Sequence, residues 1–326
     1  VKMGIADQLA EGDIVEAGFA YAADLIAKGS PIRRIRDEED IVRQARDNAE
    51  IFDNARKNAA RKMRKRFAPE MIVQCVEAAV NLGDFDAGLA VEQECFAKCL
   101  SHPQRESLIH MFFSEREVAK IPDVPKDTAT LDIASAAVIG CGTMGGGIAM
   151  CFAQAGFRVT LVDQDQDGLD RGMGIIRKNY DISVQRGRLS SDQVSAFLAN
   201  LEATTDWERL KGTDLIIEAV FEDPEIKATV TKAVEAVIPE TCIFASNTST
   251  LPISDLAKSS VRPEQFIGIH FFSPVERMML VEIIKGKETG DRAVAKALDY
   301  VRQIRKTPIV VNDARFFYAN RCIIPY

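Results

Sequence analysis

The stretch Ala136–Ala149, AAVIGCGTMGGGIA, constrains this chain more than any other. A short apolar run ends at Gly140, and Gly142 and Gly145 complete a G-x-G-x-x-G pattern, with Gly147 just beyond. That pattern belongs to a strand turning sharply into a helix whose amino end holds a dinucleotide pyrophosphate. Gly140 permits the turn, Gly142 lets backbone approach a phosphate, and Gly145 lets the helix sit close to the sheet. The free N–H groups and the positive dipole end of the helix then face the phosphates. Arg158–Asp163 (RVTLVD) reads as the second strand and ends in an acid. Asp163 follows the first glycine at about the 20-residue interval at which an acid meets the adenosine ribose. Gln164-Asp165-Gln166-Asp167 offers no cation for a 2′-phosphate, so the expected cofactor is NAD(H) and not NADP(H). The plainer alternative is a structural glycine turn with no ligand.

The rest of the composition sets bounds. With 326 residues, 47% of them hydrophobic, the chain can bury a large core and divides into about two domains. A net charge of −7 argues against nucleic acid as the partner. No run of about 18 apolar residues occurs, so no membrane span is expected. The sequence opens on Val1 with no signal-peptide pattern and reads as a piece of a longer protein. The seven cysteines are scattered; Cys95 and Cys99 sit one helical turn apart without a second ligand pair. Reduced thiols in an intracellular protein, and no metal site, are the expectation.

Residues 1 to 130 read as mostly helical. Helices are expected over Ile14–Ala27, a long charged Asp37–Arg66, Met71–Asn81, Glu92–Leu100 and Glu106–Ala119, with a linker at Ile121–Pro125. The basic cluster Arg56, Lys57, Arg61, Lys62, Arg64, Lys65 and Arg66 reads as a solvated face balanced by Asp37, Glu38, Glu39, Asp40 and Asp47. Its alternative is contact with coenzyme phosphates or an acidic partner. His102 reads as a turn residue and His110 as packed in a helix. From Ile133 strands alternate with helices. The strands expected are Ala136–Gly140, Arg158–Asp163, Asp214–Val220, Thr241–Asn247, Gln265–Phe271, Leu280–Lys285 and Ile309–Asn312. Helices are expected over Pro224–Val237 and Arg292–Arg305. This order implies an α/β fold with a Rossmann-type, doubly wound, mainly parallel sheet, preceded by a helical region.

In such folds ligands bind beyond the carboxyl ends of the strands. Polar groups fall there at Val220-Phe221-Glu222, with Lys227 one turn into the next helix, at Asn247-Thr248-Ser249-Thr250, and at His270. Glu282 lies in the following strand, leaving room for a turn and return that lets its carboxylate take Nδ1–H of His270. Nε2 is then free for substrate. A histidine base so oriented suits alcohol oxidation, in which hydride leaves for nicotinamide as a base takes the hydroxyl proton. Hydroxyl or amide donors such as Ser249 and Asn320 can polarise the oxygen. Each has a plainer role open to it: a strand histidine, a helix cap at Ser249, a turn at Asn320, a solvated acid at Glu222.

Taken together, GCGTMGGGIA, EAVFED with Lys227, ASNTSTLPI, GIHFFSPV followed by LVEII, and the late Asn320-Arg321 resemble L-3-hydroxyacyl-CoA dehydrogenases over residues 130–326. The resemblance implies a Rossmann-type domain over residues 133–314, then a helical substrate domain of which 315–326 are the start. It implies NAD-dependent oxidation of (S)-3-hydroxyacyl-CoA to 3-ketoacyl-CoA in fatty acid β-oxidation. His270 corresponds to the general base, Glu282 to its orienting partner, and Ser249 and Asn320 to the substrate-oxygen contacts. Gly140, Gly142, Met144, Gly145, Asp163, Val220, Phe221, Glu222, Lys227 and Ser249 correspond to cofactor positions. Ser273 stands where many members carry Asn near the nicotinamide. Lys2–Asp7 (KMGIAD) looks like the close of an enoyl-CoA hydratase domain, giving residues 1–30 as its remnant. Residues 31–132 are then the helical linker of multifunctional β-oxidation enzymes. The hydratase oxyanion loops and catalytic glutamates are not in this chain.

The same resemblance implies an acyl-CoA substrate and a homo-oligomer or thiolase partner for the full-length protein. It also implies a cytoplasmic location in bacteria or a peroxisomal or mitochondrial one in eukaryotes. The sequence departs from the family at Phe316, four residues before Asn320, where glycine is usual. Two rival readings are a catalytically silent NAD- or acyl-CoA-binding module, and a β-hydroxyacid dehydrogenase with a catalytic lysine.

Overall fold

The computed structural model describes residues 8–10, 12–29, 34–37, 40–48, 50–118, 120 and 134–325. The KMGIAD segment and the Ile121–Pro125 linker lie outside them. The chain divides into two compact units, one ending at Met111 and one beginning at Phe112.

The first unit is helical: α1 (Ile14–Ala27), α2 (Asp40–Arg46), α3 (Glu50–Lys62), α4 (Ala68–Asn81) and α5 (Phe85–Ser101), with α6 (Gln104–Glu117) running into the second unit. Its small core gathers Phe52, Val73 and Val80 against Ala45 and Ala55. Arg56 is held by Glu70 at 3.2 Å and by Glu77. The expected single helix over Asp37–Arg66 is instead a short 3-10 turn at Ile35–Asp37 followed by α2 and α3. The break falls at Asp47-Asn48, residue types whose side chains compete for backbone hydrogen bonds and disfavour a helix interior. His102 stacks on Phe67 at 4.2 Å, and His110 is an exposed residue of α6.

The second unit is an eight-stranded sheet of order β3-β2-β1-β4-β5-β6-β7-β8. Its strands are β1 (Ser135–Ile139), β2 (Arg158–Val162), β3 (Leu201–Thr204), β4 (Leu215–Glu218), β5 (Ile243–Ser246), β6 (Phe266–Phe271), β7 (Leu280–Lys285) and β8 (Thr307–Asn312). All pairings are parallel except β6 with β7. The helices are α7 (Thr143–Gln154), α8 (Gln166–Gln185), α9 (Ser191–Ala199), α10 (Pro224–Glu235), α11 (Ile253–Leu256), α12 (Asp291–Gln303) and α13 (Ala319–Ile323).

Side chains alternate across each strand, so the continuous apolar runs feed two cores. Val138, Leu161, Ile217 and Ile269 join Ile148 and Phe152 of α7 and Val294 and Leu298 of α12 on one face. Ala137, Ile139, Ile216, Phe244 and Phe266 join Val234 of α10 and Ile253 of α11 on the other. Because β1, β4, β5 and β6 run parallel, their carboxyl ends lie at one edge of the sheet, which is where polar side chains collect. The expected strands and helices of this unit are present with shifts of one to two residues at their ends, and β3 is an additional strand.

Candidate active site

The turn after β1 is built as its glycines demand. Gly140 has φ +101°, and a Cβ there would lie 2.7 Å from the Ala219 carbonyl oxygen. A Cβ on Gly145 would lie 1.8 Å from the Gly140 carbonyl oxygen, so only glycine lets α7 approach the turn. Gly142, at the amino end of α7, faces open space instead. No acid occupies the first turn of α7. Asp163 closes the other side: its Oδ2 accepts from the Cys141 N–H at 2.7 Å and its Oδ1 from the Gln164 N–H at 2.7 Å. Both oxygens keep a further lone pair for a ribose hydroxyl. An uncrowded helix amino end beside a fixed, partly exposed acid fits a non-phosphorylated dinucleotide, with Met144 half-buried one residue into α7.

Past β4, Val220 is half-buried and Phe221 stands 80% exposed, an aromatic face open to a ligand. Glu222 then binds the loop after β5. Its Oε1 accepts from the Thr248 hydroxyl at 2.7 Å, the Ser249 N–H at 2.8 Å and the Thr250 N–H at 3.0 Å. Burial pushes its carboxyl up, but the Thr248 hydroxyl, the Lys227 ammonium and the Ser249 N–H outweigh that and hold it below the usual carboxylate range. Lys227 is buried, with Nζ 2.7 Å from Glu218 Oε1 and 3.5 Å from Glu222 Oε2. Its ammonium is enclosed by two carboxylates, so its reach toward a ligand runs through Glu222.

Glu218 is a site residue that the sequence reading passed over. It also accepts from the Val220 N–H at 2.9 Å and, through Oε2, from the Ser246 hydroxyl at 2.7 Å. An acid in the otherwise apolar run LIIEAV was the signal. Asn247 was likewise unassigned; its Oδ1 accepts from the Phe271 N–H at 2.9 Å and ties this loop to the end of β6.

His270 and Glu282 are direct partners in the antiparallel β6–β7 register. His270 Nδ1 lies 2.7 Å from Glu282 Oε2, and both side chains are buried. Glu282 Oε1 accepts from the Tyr318 N–H at 3.1 Å and the Ala319 N–H at 2.8 Å. Burial raises this carboxyl, and His270 with the Ala319 and Tyr318 N–H groups more than offsets it, leaving it below the usual range. The rings of Phe272 and Phe317 flank His270 at 4.5 and 5.8 Å. Docking of α13 on Glu282 brings Asn320 to Ser249: its Nδ2 donates to the Ser249 carbonyl at 3.1 Å. Asp313 fixes the approach by accepting from the Ile253 and Ser254 N–H groups at 2.8 Å each. Ser273 is exposed just beyond β6. Thus one strand-end edge gathers His270, Glu282, Ser249, Asn320, Glu222 and the glycine turn. Among the described residues, no group of His, Cys, Asp or Glu is arranged to hold a metal ion.

Phe316 has φ +66° and Phe317 φ +51°, left-handed conformations that L-residues resist. Phe316→Gly is expected to raise stability by about 0.5–1 kcal/mol, the relief of strain less glycine's extra unfolded-state entropy. Phe316→Ala keeps the strain and gives no gain; urea unfolding of both variants checks the difference. For Glu282, a folded value lowered below the unfolded one means stability that is complete above the ordinary carboxylate range and lost as pH falls through the folded value. Urea midpoints taken from about pH 6 to about pH 3 should therefore fall less steeply for Glu282→Gln than for the unmodified chain. Parallel slopes would remove this role.

Comparison with known proteins bears on this edge. Residues 135–314 match the family model described as 3-hydroxyacyl-CoA dehydrogenase, NAD binding domain. The chain is 39% identical over 259 residues to the fatty acid oxidation complex subunit alpha of Psychrobacter cryohalolentis, an alignment covering 79% of this chain and 36% of that protein. The chain therefore spans about a third of the length of the curated relatives it matches. Among solved structures it is similar to (S)-3-hydroxybutyryl-CoA dehydrogenase from Ralstonia eutropha, with TM-score 0.59 and 34% identity over 60% of this chain and 69% of that one. It is also similar to the dehydrogenase part of multifunctional enzyme 1 from C. elegans, with TM-score 0.56 and 31% identity over 61% of this chain and 48% of that one.

Proposed function

Because this chain belongs to the 3-hydroxyacyl-CoA dehydrogenase family, with residues 135–314 as its NAD-binding domain, we propose that it oxidises (S)-3-hydroxyacyl-CoA to 3-ketoacyl-CoA. The observation that carries the reading is the buried His270–Glu282 pair, which fixes Nδ1 and leaves Nε2 as the basic atom. Bound NAD would supply the hydride acceptor for the C3 hydrogen. The residues to hold it are Gly140, Gly142, Met144 and Gly145 at the pyrophosphate, Asp163 at the adenosine ribose, and Val220, Phe221, Glu222, Ser249 and Ser273 toward the nicotinamide. Nε2 of His270 takes the C3 hydroxyl proton as the C–H bond breaks, and the electron pair left on oxygen forms the ketone. The imidazolium so formed is stabilised by Glu282, whose carboxylate is already held ionised by two N–H donors. The Ser249 hydroxyl and the Asn320 amide polarise the reacting oxygen. Lys227 positions Glu222. Its neutralisation by Glu218 and Glu222 disfavours the rival reading of a lysine-based β-hydroxyacid dehydrogenase.

The identity to the Psychrobacter subunit runs over a longer span than the NAD-binding domain alone. We read residues 1–30, from the KMGIAD segment, as the close of a hydratase domain and 31–132 as a helical linker. The full-length protein would serve fatty acid β-oxidation in a multi-enzyme assembly, with a thiolase as partner.

The test is NADH oxidation with acetoacetyl-CoA, alongside NADH binding by fluorescence. The chain should bind NADH and turn over. His270→Ala should lower kcat by roughly 10²–10⁴ with NADH affinity retained, the range for a lost general base. Asp163→Ala should weaken NADH binding far more than acyl-CoA binding. NADH binding without turnover would favour the silent module, and a loss under about tenfold in His270→Ala would remove it from the base role.

A further inference from the structure

The basic cluster in the helical unit is engaged unevenly among the described residues. Arg56 is the member engaged by acids, through Asp53, Glu70 and Glu77. Glu38 and Glu39 lie outside the described residues. Among the described residues, Arg64, Lys65 and Arg66 form no ion pair. These three cations line one recess of about 250 Å³ together with Gln104, Ser107 and Leu108 of α6. Like charges crowded together repel one another, and among the described residues no acid pairs with these three, in a chain whose net charge is −7.

The backbone is braced to keep them there. Lys65 has φ +61°, a left-handed conformation that costs about 1–2 kcal/mol in a non-glycine residue. Gln104 holds it from both sides: its Nε2 donates to the Lys65 carbonyl at 2.5 Å and its Oε1 accepts from the Phe67 N–H at 2.9 Å. His102 stacks on Phe67 and its Nδ1 accepts from the Gln104 N–H at 3.1 Å. Strain maintained by surrounding bonds is common where a segment presents groups to a ligand.

We propose that this recess binds a small phosphate-bearing ligand. Two guanidinium forks match the oxygens of a phosphate bidentately, and an ammonium adds a point charge. The Ser107 hydroxyl, on α6, supplies a neutral donor to the same recess. The volume accommodates a phosphate or diphosphate group. Two sources share that chemistry: a free phosphate compound, or the phosphate groups of an acyl-CoA. None of the six lining residues belongs to the NAD or proton-transfer positions, so this proposal stands apart from the dehydrogenase reading.

The experiment is isothermal titration of the chain with sodium pyrophosphate and, separately, with acetyl-CoA, at low salt and with NADH present to occupy the glycine turn. In the double variant Arg64→Ala/Arg66→Ala, pyrophosphate affinity should fall roughly tenfold or more, as two charges beside a multivalent anion are lost. Lys57→Ala, exposed on α3 outside the recess, should leave it unchanged. A parallel fall for acetyl-CoA identifies the coenzyme as the source, and a fall for pyrophosphate alone identifies a free phosphate; either supports the site. Undiminished pyrophosphate binding in the double variant would overturn it. So would an equal loss in Lys57→Ala, which signals diffuse surface charge, or binding to anionic phospholipid vesicles with none to pyrophosphate. All three substitutions are at exposed positions, and circular dichroism checks that each variant keeps its fold.

Discussion

The carboxylate of Glu282 is the joint on which the reactive edge depends. It is fully buried on β7, where an unpartnered charge would be prohibitively costly. Three donors from two other elements meet that requirement: the imidazole of β6 and the Tyr318 and Ala319 N–H groups at the start of α13. Satisfying one buried charge therefore orients the imidazole and docks the helix that carries Asn320. Breaking such a buried arrangement by removing one partner typically costs about 3–5 kcal/mol, so orientation and stability are not separable here.

A second buried carboxylate, Glu218, plays the corresponding part on β4. It neutralises Lys227, receives the Ser246 hydroxyl and turns the Val220 N–H inward. Lys227 then attracts Glu222, whose one oxygen gathers the N–H and hydroxyl groups of residues 248–250. Ser249 is positioned by these contacts from one side and by Asn320 from the other. Charge alternates inward from solvent as acid, base, acid, and each group is hydrogen-bonded, which is the condition under which a buried network rigidifies rather than destabilises.

Most of this edge could be read from residues in order, because each strand ends on a polar group after an apolar run. The His270–Glu282 pairing was legible because period-two alternation and a short return put both on one edge of adjacent strands. Glu218 was harder to see. Nothing in LIIEAV distinguishes an acid that closes a strand from one that faces solvent until Lys227 is known to fold back over it. The strand β3 was missed because LEAT is a short edge strand, half-exposed and without an apolar run. The left-handed bend at Phe316 was visible only as a departure from glycine; its conformation depends on the loop that Thr250 and Asp313 hold.

The single antiparallel step in the sheet has a consequence for chain entropy. In a parallel pair the facing residue arrives only after a crossover, whereas β6 turns directly into β7 and sets His270 against Glu282 only 12 residues apart. The Tyr318 and Ala319 bonds to the same carboxylate close loops of 36 and 37 residues. The difference in chain entropy is about 1 kcal/mol in favour of the hairpin contact. The imidazole and its acid are thus the local pair of this edge, and α13 joins the same carboxylate through a longer loop.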